Sequence, residues 1–342
     1  MSEDDSEVKS PRETFALFGH GEAEAALLEA YKSGRIAHAW LIGGPPGVGK
    51  ATLVFRLARF VLAHPDPQAA DVQRATSLAV DQDHVVARRI AAQAQGDLRV
   101  LERVVNEQTG KLYTNIRVDD VRRVVSFFSG TAGEGGWRIA IVDAVDDLAR
   151  EGANALLKVL EEPPARTLLL LISHSPGREL PTIRSRCRRL LLRPLAADDL
   201  VRALGVATGR AADDPELAQA VVAADGSVAR ALALLDGPAL ALRQRVLDAI
   251  GQLPNPDPRA LHALADALGG TDPQTLATFM DLVNGWLSQR LGRGEGDARS
   301  LARIAATWDK VNHHARDVDA YNLERKPFVF SVFAELAAIG RR

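Results

Sequence analysis

The stretch that decides the fold is Gly44-Pro45-Pro46-Gly47-Val48-Gly49-Lys50, between an apolar run at Ala39–Ile42 and a helical pattern over Thr52–Ala63. A strand, a glycine loop ending in lysine and a helix, in this order, are typical of a phosphate-binding loop. The glycines let consecutive backbone N–H groups turn inward on an anion, and Lys50 adds a positive charge. The following helix directs the positive end of its dipole at the same place.

The residue after the loop lysine normally carries a hydroxyl group that coordinates Mg²⁺. Here it is Ala51, and Thr52 comes one position late. One residue along a helix rotates a side chain by about 100°, so we expect Thr52 to face away from the phosphates. The sequence therefore predicts weak metal coordination.

A second metal-associated carboxylate is expected where a buried strand ends. The predicted strand Trp137–Val142 is followed by Asp143, but Ala144 stands where a hydrolysing enzyme of this style carries the glutamate that polarises water. We interpret the nearby Asp146 and Asp147 as N-terminal caps of a helix. Both departures, Ala51 and Ala144, affect catalysis and leave phosphate binding intact, so the pattern indicates binding without turnover.

Further apolar runs alternate with helical patterns on both sides of this strand. That alternation predicts an α/β domain with a mainly parallel sheet. The predicted strands are Ala39–Ile42, Leu98–Val105, Trp137–Val142 and Thr167–Ile172, and the predicted helices are Glu22–Tyr31, Thr52–Ala63, Arg117–Phe128 and Asn154–Glu162. We expect residues 64–95 to be helical or partly mobile, and residues 106–115 to form a turn.

After Pro194 the strand signals end, and the remainder is predicted to be helical. We expect a disordered lead-in over 1–12, an α/β domain over 13–194, a small helical unit over 195–236 and a larger helical domain over 237–342. One clear helix is predicted at Asp272–Leu287, with Asp272 as its N-cap and Pro273 in its first turn.

Composition limits the function. Of 342 residues, 42 are Lys or Arg and 44 are Asp or Glu, for a net charge of −2, which does not favour a free-standing nucleic-acid binder. The single cysteine, Cys187, excludes an internal disulfide and a zinc site built on several cysteines. The acidic start is unlike a signal peptide, and no apolar run is long enough for a bilayer. We therefore expect a soluble, cytoplasmic protein with no resident metal and no membrane partner.

Two segments carry a family resemblance. The stretch Asn154–Pro164, which reads NALLKVLEEPP, and the stretch Thr182–Cys187, which contains Ser-Arg-Cys, resemble signatures of the clamp-loader subunits of bacterial DNA polymerase III, which are AAA+ proteins. Both follow the phosphate-binding loop and Asp143 in the expected order. The resemblance implies a P-loop (AAA+) parallel-sheet domain, a small α-helical lid and an all-α C-terminal collar that supports assembly.

The resemblance also implies roles for three residues. Arg186 stands where the family has an arginine finger that reaches the ATP of a neighbouring subunit, and the alternative is a surface ion pair. Ser173 stands where a polar residue senses the γ-phosphate, and a strand-end hydroxyl that caps a loop is equally compatible with the sequence. Arg230 resembles the second sensor. Cys187 is expected to be a small packing residue.

Within the family, Ala51, Ala144 and the missing zinc cysteines resemble the δ′ (delta prime) type more than the hydrolysing γ/τ type. The resemblance implies a hetero-oligomeric part of the polymerase holoenzyme, a nucleotidyltransferase that replicates DNA. It also implies γ/τ and δ partners, and contact with the sliding clamp and primed DNA through the complex. ATP or ADP is the expected ligand, with little intrinsic hydrolysis. An active γ/τ-like ATPase and a nucleotide-free scaffold remain the alternatives.

Overall fold

The computed structural model describes residues 9–105, 113, 115–129, 136–175, 180–235, 239–270, 273–292, 298–321 and 323–340. The chain forms two compact units, one up to Leu232 and one from Ala233. The first unit contains both the α/β part and most of the small helical part. The finer division at residues 194 and 236 stays a prediction.

A parallel five-stranded sheet forms the centre of the first unit. Its strands are β1 (Ala39–Gly43), β2 (Leu98–Glu102), β3 (Arg138–Asp143), β4 (Thr167–Ser173) and β5 (Arg188–Leu191). Their spatial order is β2-β3-β4-β1-β5, and every neighbouring pair is parallel. β1, β3 and β4 are almost wholly buried, as expected for apolar strands covered on both faces. This sheet confirms the predicted α/β fold class.

Register brings the candidate site residues to one edge of the sheet. Gly43 of β1 lies opposite Ser173 of β4, and Asp143 of β3 lies opposite Ile172. Since all strands run the same way, the loop after β1 and the residues after β3 and β4 meet at the carboxyl ends of neighbouring strands. That edge is where ligands bind in open α/β sheets.

Short connections and helices surround the sheet. The helices of this part are α1 (Gly21–Lys32), α2 (Lys50–Ala63), α3 (Ala70–Arg74), α4 (Val85–Ala91), α5 (Val118–Ser129), α6 (Arg150–Glu161) and α7 (Pro181–Arg184). α6 begins four residues before the predicted Asn154, because its polar first turn carries no apolar periodicity. Residues 64–95 hold only α3 and α4. The turn predicted at 106–115 lies mostly outside the described residues.

Strand β5 was not predicted from the sequence. It pairs with Trp40–Gly43 of β1 and forms one edge of the sheet. Three of its four residues are exposed, and the guanidinium of Arg188 lies 4.9 Å from the centre of the Trp40 ring. Two arginines in four residues carry no apolar run, so only pairing with β1 reveals this strand.

Beyond β5 the described chain is helical, as predicted. α8 (Ala197–Thr208), α9 (Pro215–Ala223) and α10 (Val228–Leu235) follow first. The second unit holds α11 (Ala239–Gly251), α12 (Pro258–Leu268), α13 (Pro273–Gly292), α14 (Ala298–Ala320) and α15 (Arg325–Gly340). The predicted apolar face of α13 is buried in the core of this unit and comprises Leu276, Phe279, Met280, Val283 and Leu287. Its predicted N-cap, Asp272, lies outside the described residues.

Candidate nucleotide-binding site and arginine finger

The glycine loop adopts the conformation that its sequence predicts. Gly44, Gly47 and Gly49 have φ values of 149°, 74° and 100°, in the region that favours glycine. The Lys50 side chain is 3% exposed, and its Nζ donates to the carbonyl oxygens of Gly44 at 2.7 Å and Pro45 at 2.5 Å. Burial lowers the pKa of Lys50 to about 8, although nearby carboxylates oppose this shift.

A cavity of about 500 Å³ lies beside the loop. The described N-terminal segment, the loop and the small helical part all contribute to its walls. Residues that line it include Phe15, Ala16, Leu17, Phe18, Gly47, Val48, Gly49, Lys50, Asp143, His174, Leu195, Val206, Val228 and Leu232. A mainly apolar wall beside a ring of loop amides and an ammonium group fits a nucleotide, with the base on the wall and phosphates on the loop.

The start of α2 is less suited to a metal ion. Ala51 has no side-chain oxygen that could coordinate a metal ion. Thr52, which we expected to face away from the phosphates, lines the cavity together with Ala51. The residues present therefore fit the phosphates better than they fit Mg²⁺. Among the described residues, no cluster of three His, Cys, Asp or Glu could hold a metal ion.

Asp143 and Ser173 end neighbouring strands at the same edge of the sheet. Burial raises the pKa of the Asp143 carboxyl, and the nearby His174 is the largest opposing influence. The His174 Nε2 lies 3.8 Å from the Asp143 Oδ1, and burial lowers the pKa of His174. The Ser173 hydroxyl accepts a bond of 3.3 Å from the Ser175 N–H, and its role toward a γ-phosphate stays a prediction. Ala144 is 1% exposed. Because its side chain is a methyl group, this position offers no carboxylate beside Asp143.

Asp146 and Asp147 do not act as helix caps, which corrects the interpretation made from the sequence. Asp146 accepts bonds from the Ser173 hydroxyl at 3.3 Å and from the His174 N–H at 2.6 Å. Asp147 pairs with Arg103, at 3.1 Å between Oδ2 and Nε. The reason is local: the chain makes only a short 3-10 turn over Val145–Asp147 before α6. Asp146 thus links the ends of β3 and β4.

Arg230, the proposed second sensor, lies in the first turn of α10. Its Nη1 donates to the Asp225 Oδ2 at 3.1 Å, and its side chain is 40% exposed. The structure therefore places this guanidinium on Asp225. The neighbouring residues Val228, Ala229 and Leu232 are the ones that line the cavity.

Arg186 lies in the short connection between α7 and β5. Its Nη2 donates to the Glu161 Oε1 at 2.7 Å, and its Nη1 donates to the Thr182 carbonyl at 3.0 Å. The guanidinium thus joins the two signature segments, because Glu161 ends α6. Its side chain is 35% exposed. Cys187 packs partly buried against the apolar core, and burial raises the pKa of its thiol to about 12.

Sequence reasoning missed the residues that build the cavity wall. We expected residues 1–12 to be a disordered lead-in, but residues 9–12 are described and Pro11 lies against α2. The buried Arg59 donates to the carbonyl oxygens of Pro11, Arg12 and Thr14, and its guanidinium lies 4.3 Å from the centre of the Phe15 ring. An arginine within an otherwise apolar helix face was the available signal.

In the described part of the chain, no helix is both long and apolar enough to cross a membrane.

Comparisons with known proteins identify the family of this chain. A family model described as DNA polymerase III, delta subunit matches residues 19–196. The DNA polymerase III subunit delta′ of Pseudomonas aeruginosa is 39% identical over 151 residues, which cover 44% of this chain and 42% of that protein. The delta′ subunit of Escherichia coli is 31% identical over 224 residues, covering 66% and 62% respectively.

A DNA polymerase III subunit gamma/tau is also similar. The Mycobacterium tuberculosis protein is 28% identical over 298 residues, which cover 78% of this chain and 48% of that protein. The chain spans about half the length of the relatives that it matches. The family model covers more than half of the chain and includes the loop, Asp143, Ser173 and Arg186. This chain therefore belongs to the DNA polymerase III delta-subunit family, with the sequence features of its δ′ type.

Proposed function

We propose that this chain is a δ′-type, non-hydrolysing subunit of a DNA polymerase III clamp loader. It retains a cradle for the phosphates of ATP or ADP, and it supplies Arg186 to the nucleotide of a neighbouring subunit. Its partners are γ/τ-type and δ-type subunits in a cytoplasmic hetero-oligomer. It meets the sliding clamp and primed DNA through that complex.

One observation carries the non-hydrolysing part of this proposal. The cradle keeps its glycine conformations and its lysine, while the residue that follows Asp143 is the buried Ala144. A water molecule at a γ-phosphate has no carboxylate from that position to polarise it, and Ala51 gives no hydroxyl for the metal ion. Hydrolysis depends on such positioned groups more than on covalent chemistry, so the retained cradle supports binding and not turnover.

The position of Arg186 supports a role in a neighbouring site. A guanidinium is always charged and presents a planar fork of donors that suits phosphoryl oxygens. Here one edge of that fork is held by Glu161 and the Thr182 carbonyl, and a third of the side chain is open to solvent. An exposed ion pair of this kind contributes at most about 1 kcal/mol, so a phosphate can replace Glu161 at little cost.

The proposal also assigns a role to each part of the chain. Residues 13–194 form the AAA+ domain, residues 195–236 form the lid, and residues 237–342 form the collar through which subunits assemble. The described part of residues 237–342 has its own buried apolar core, which supports a separately folded domain.

The deciding experiment measures DNA-stimulated ATP hydrolysis by a complex reconstituted with γ/τ-type and δ-type subunits. Arg186→Ala should lower the rate at least about tenfold, a conservative threshold beside the roughly 10³- to 10⁵-fold that an arginine finger contributes at its own site. Arg184→Ala is the matched control, since Arg184 is an exposed arginine of the same short segment. An unchanged rate with Arg186→Ala would remove the finger from the proposal.

Two further measurements separate the alternatives. Turnover by the isolated chain that Lys50→Ala abolishes would support an active γ/τ-like ATPase instead. Titration with a fluorescent ATP analogue tests the cradle: lysine-dependent binding supports it, and no binding at all would leave a nucleotide-free scaffold.

A further inference from the structure

The outer side of the phosphate-binding loop is held by the start of α10. The Ser227 hydroxyl donates to the Pro46 carbonyl oxygen at 3.0 Å. The backbone N–H groups of Val228 and Ala229 both donate to the Gly47 carbonyl oxygen, at 2.9 and 3.3 Å. A helix start offers such N–H groups because they have no partner within the helix. Two consecutive loop carbonyls are therefore fixed by the small helical part.

The next two carbonyls are held by other elements. The buried His20 contacts the Val48 carbonyl oxygen through its Nε2 at 2.6 Å, and because a carbonyl only accepts, this nitrogen is the donor. The Gly49 carbonyl accepts from the Leu53 N–H within α2, at 3.0 Å. From residue 46 to residue 49, each carbonyl of the loop is thus fixed from outside the loop.

Fixing a carbonyl also fixes the next N–H group. The peptide unit is planar and trans, so the N–H of a residue points opposite to the preceding carbonyl. The N–H groups of Gly47, Val48 and Gly49 consequently point away from Ser227, α10 and His20. With left-handed conformations at Gly47 and Gly49, consecutive N–H groups form the concave arrangement that binds anions.

The approach of α10 also explains why residue 47 is glycine. A Cβ atom at this position would lie 2.3 Å from the Ser227 Oγ and 2.7 Å from the Ala229 Cβ. Such distances are sterically forbidden, and the φ of 74° disfavours a side chain as well. Gly47 is therefore required by the contact with the helical part as much as by the anion.

We propose that Ser227 is a positioning residue of the phosphate-binding loop, which with His20 holds the N–H groups of Gly47 to Gly49 in the anion-binding orientation. Ser227 does not touch the ligand itself. It acts through the Pro46 carbonyl, while its own oxygen accepts the Arg230 N–H at 3.3 Å. This inference rests on the proposed retention of a phosphate cradle.

Calorimetric titration of the full chain with ADP, and with adenosine by displacement of ADP, tests the role of Ser227. We expect Ser227→Ala to weaken ADP binding about fivefold, the factor that one hydrogen bond contributes. Adenosine affinity should stay within about twofold, because the base lies on the apolar wall and not on the loop amides. Ser227→Thr keeps the hydroxyl and should restore ADP affinity.

Ser33→Ala is the matched control, because the Ser33 hydroxyl also donates to a backbone carbonyl and accepts a backbone N–H, far from the loop in sequence. It should bind ADP like wild type. Unchanged ADP affinity in Ser227→Ala would overturn the inference. Equal losses for ADP and adenosine would also overturn it, since displacement of the whole helical part would affect both. A wild-type chain that does not bind ADP refutes the preformed cradle, whereas the Arg186 proposal is judged separately by ATPase stimulation.

Discussion

Replacing Lys50 by methionine should stabilise the free protein while it abolishes nucleotide binding. The Lys50 ammonium group is almost fully buried, and two loop carbonyls are its hydrogen-bond acceptors. Methionine has a similar length and removes the charge. Residues kept for binding often lower stability in this way, because the ligand, and not the fold, is their main partner.

The magnitude follows from the pKa of Lys50. Burial lowers it from 10.5 to about 8, and each pKa unit corresponds to about 1.4 kcal/mol. The charged form thus costs the folded state about 3 kcal/mol at neutral pH. In Lys50→Met, the carbonyl oxygens of Gly44 and Pro45 lose this donor, which offsets part of the stability gained by removing the charge. We expect Lys50→Met to raise the free energy of unfolding by about 1–2 kcal/mol, or the melting temperature by about 2–8 °C.

The sign of the pH dependence is set by the same shift. Because the pKa is lower in the folded state than in the unfolded chain, the unfolded state binds more protons between about pH 8 and 10.5. Wild-type stability from this group therefore rises with pH across that window. The advantage of Lys50→Met should shrink from pH 7 to about pH 9.5.

Thermal unfolding of both proteins at the two pH values, with ADP titrations at pH 7, is the assay. Lys158→Met is the control, since it makes the same substitution at a lysine that is exposed on α6, and its effect on stability should be small. The reasoning is refuted if Lys50→Met clearly destabilises the protein at pH 7, or if its effect does not change with pH.

Four other substitutions have defined outcomes. Arg59→Met removes the donor of three carbonyl bonds and should lower the free energy of unfolding by about 2–3 kcal/mol, with weaker adenosine binding in the same calorimetric assay. Ala144→Glu should not create ATP hydrolysis, because Ala51 still offers no hydroxyl for a metal ion, and urea unfolding should show a loss of about 3–5 kcal/mol, because a charged side chain at this buried position loses its hydration. Phe279→Ala, at the centre of ring contacts in the second unit, should cost about 3–5 kcal/mol of stability by calorimetry. Glu161→Gln frees the Arg186 guanidinium and should change the ATPase rate of the reconstituted complex by no more than about fivefold; a complete loss would mean that Glu161 has a role other than holding Arg186.

Sequence determined the fold class because its signals are local. The short, continuous apolar runs that begin at Ala39, Arg138 and Thr167 favour buried strands, and the glycines of the loop allow backbone angles that other residues avoid. The missing groups at positions 51 and 144 are also visible without a structure. The helical second unit followed from periodicity, including the buried face of α13.

Tertiary structure decided the features that depend on residues distant in sequence. Strand β5 forms because Arg188–Leu191 pairs with the open edge of β1. Two arginines in four residues give no local sign of a strand. The local sequence predicts a helix cap at Asp146, but its carboxylate accepts bonds from the end of β4, a neighbour set by strand order. The contact of Ser227 with the loop joins residues 181 positions apart. Local patterns fix backbone preferences over a few residues, whereas hydrogen-bond partners of this kind are chosen only when the sheet and the helical part pack together.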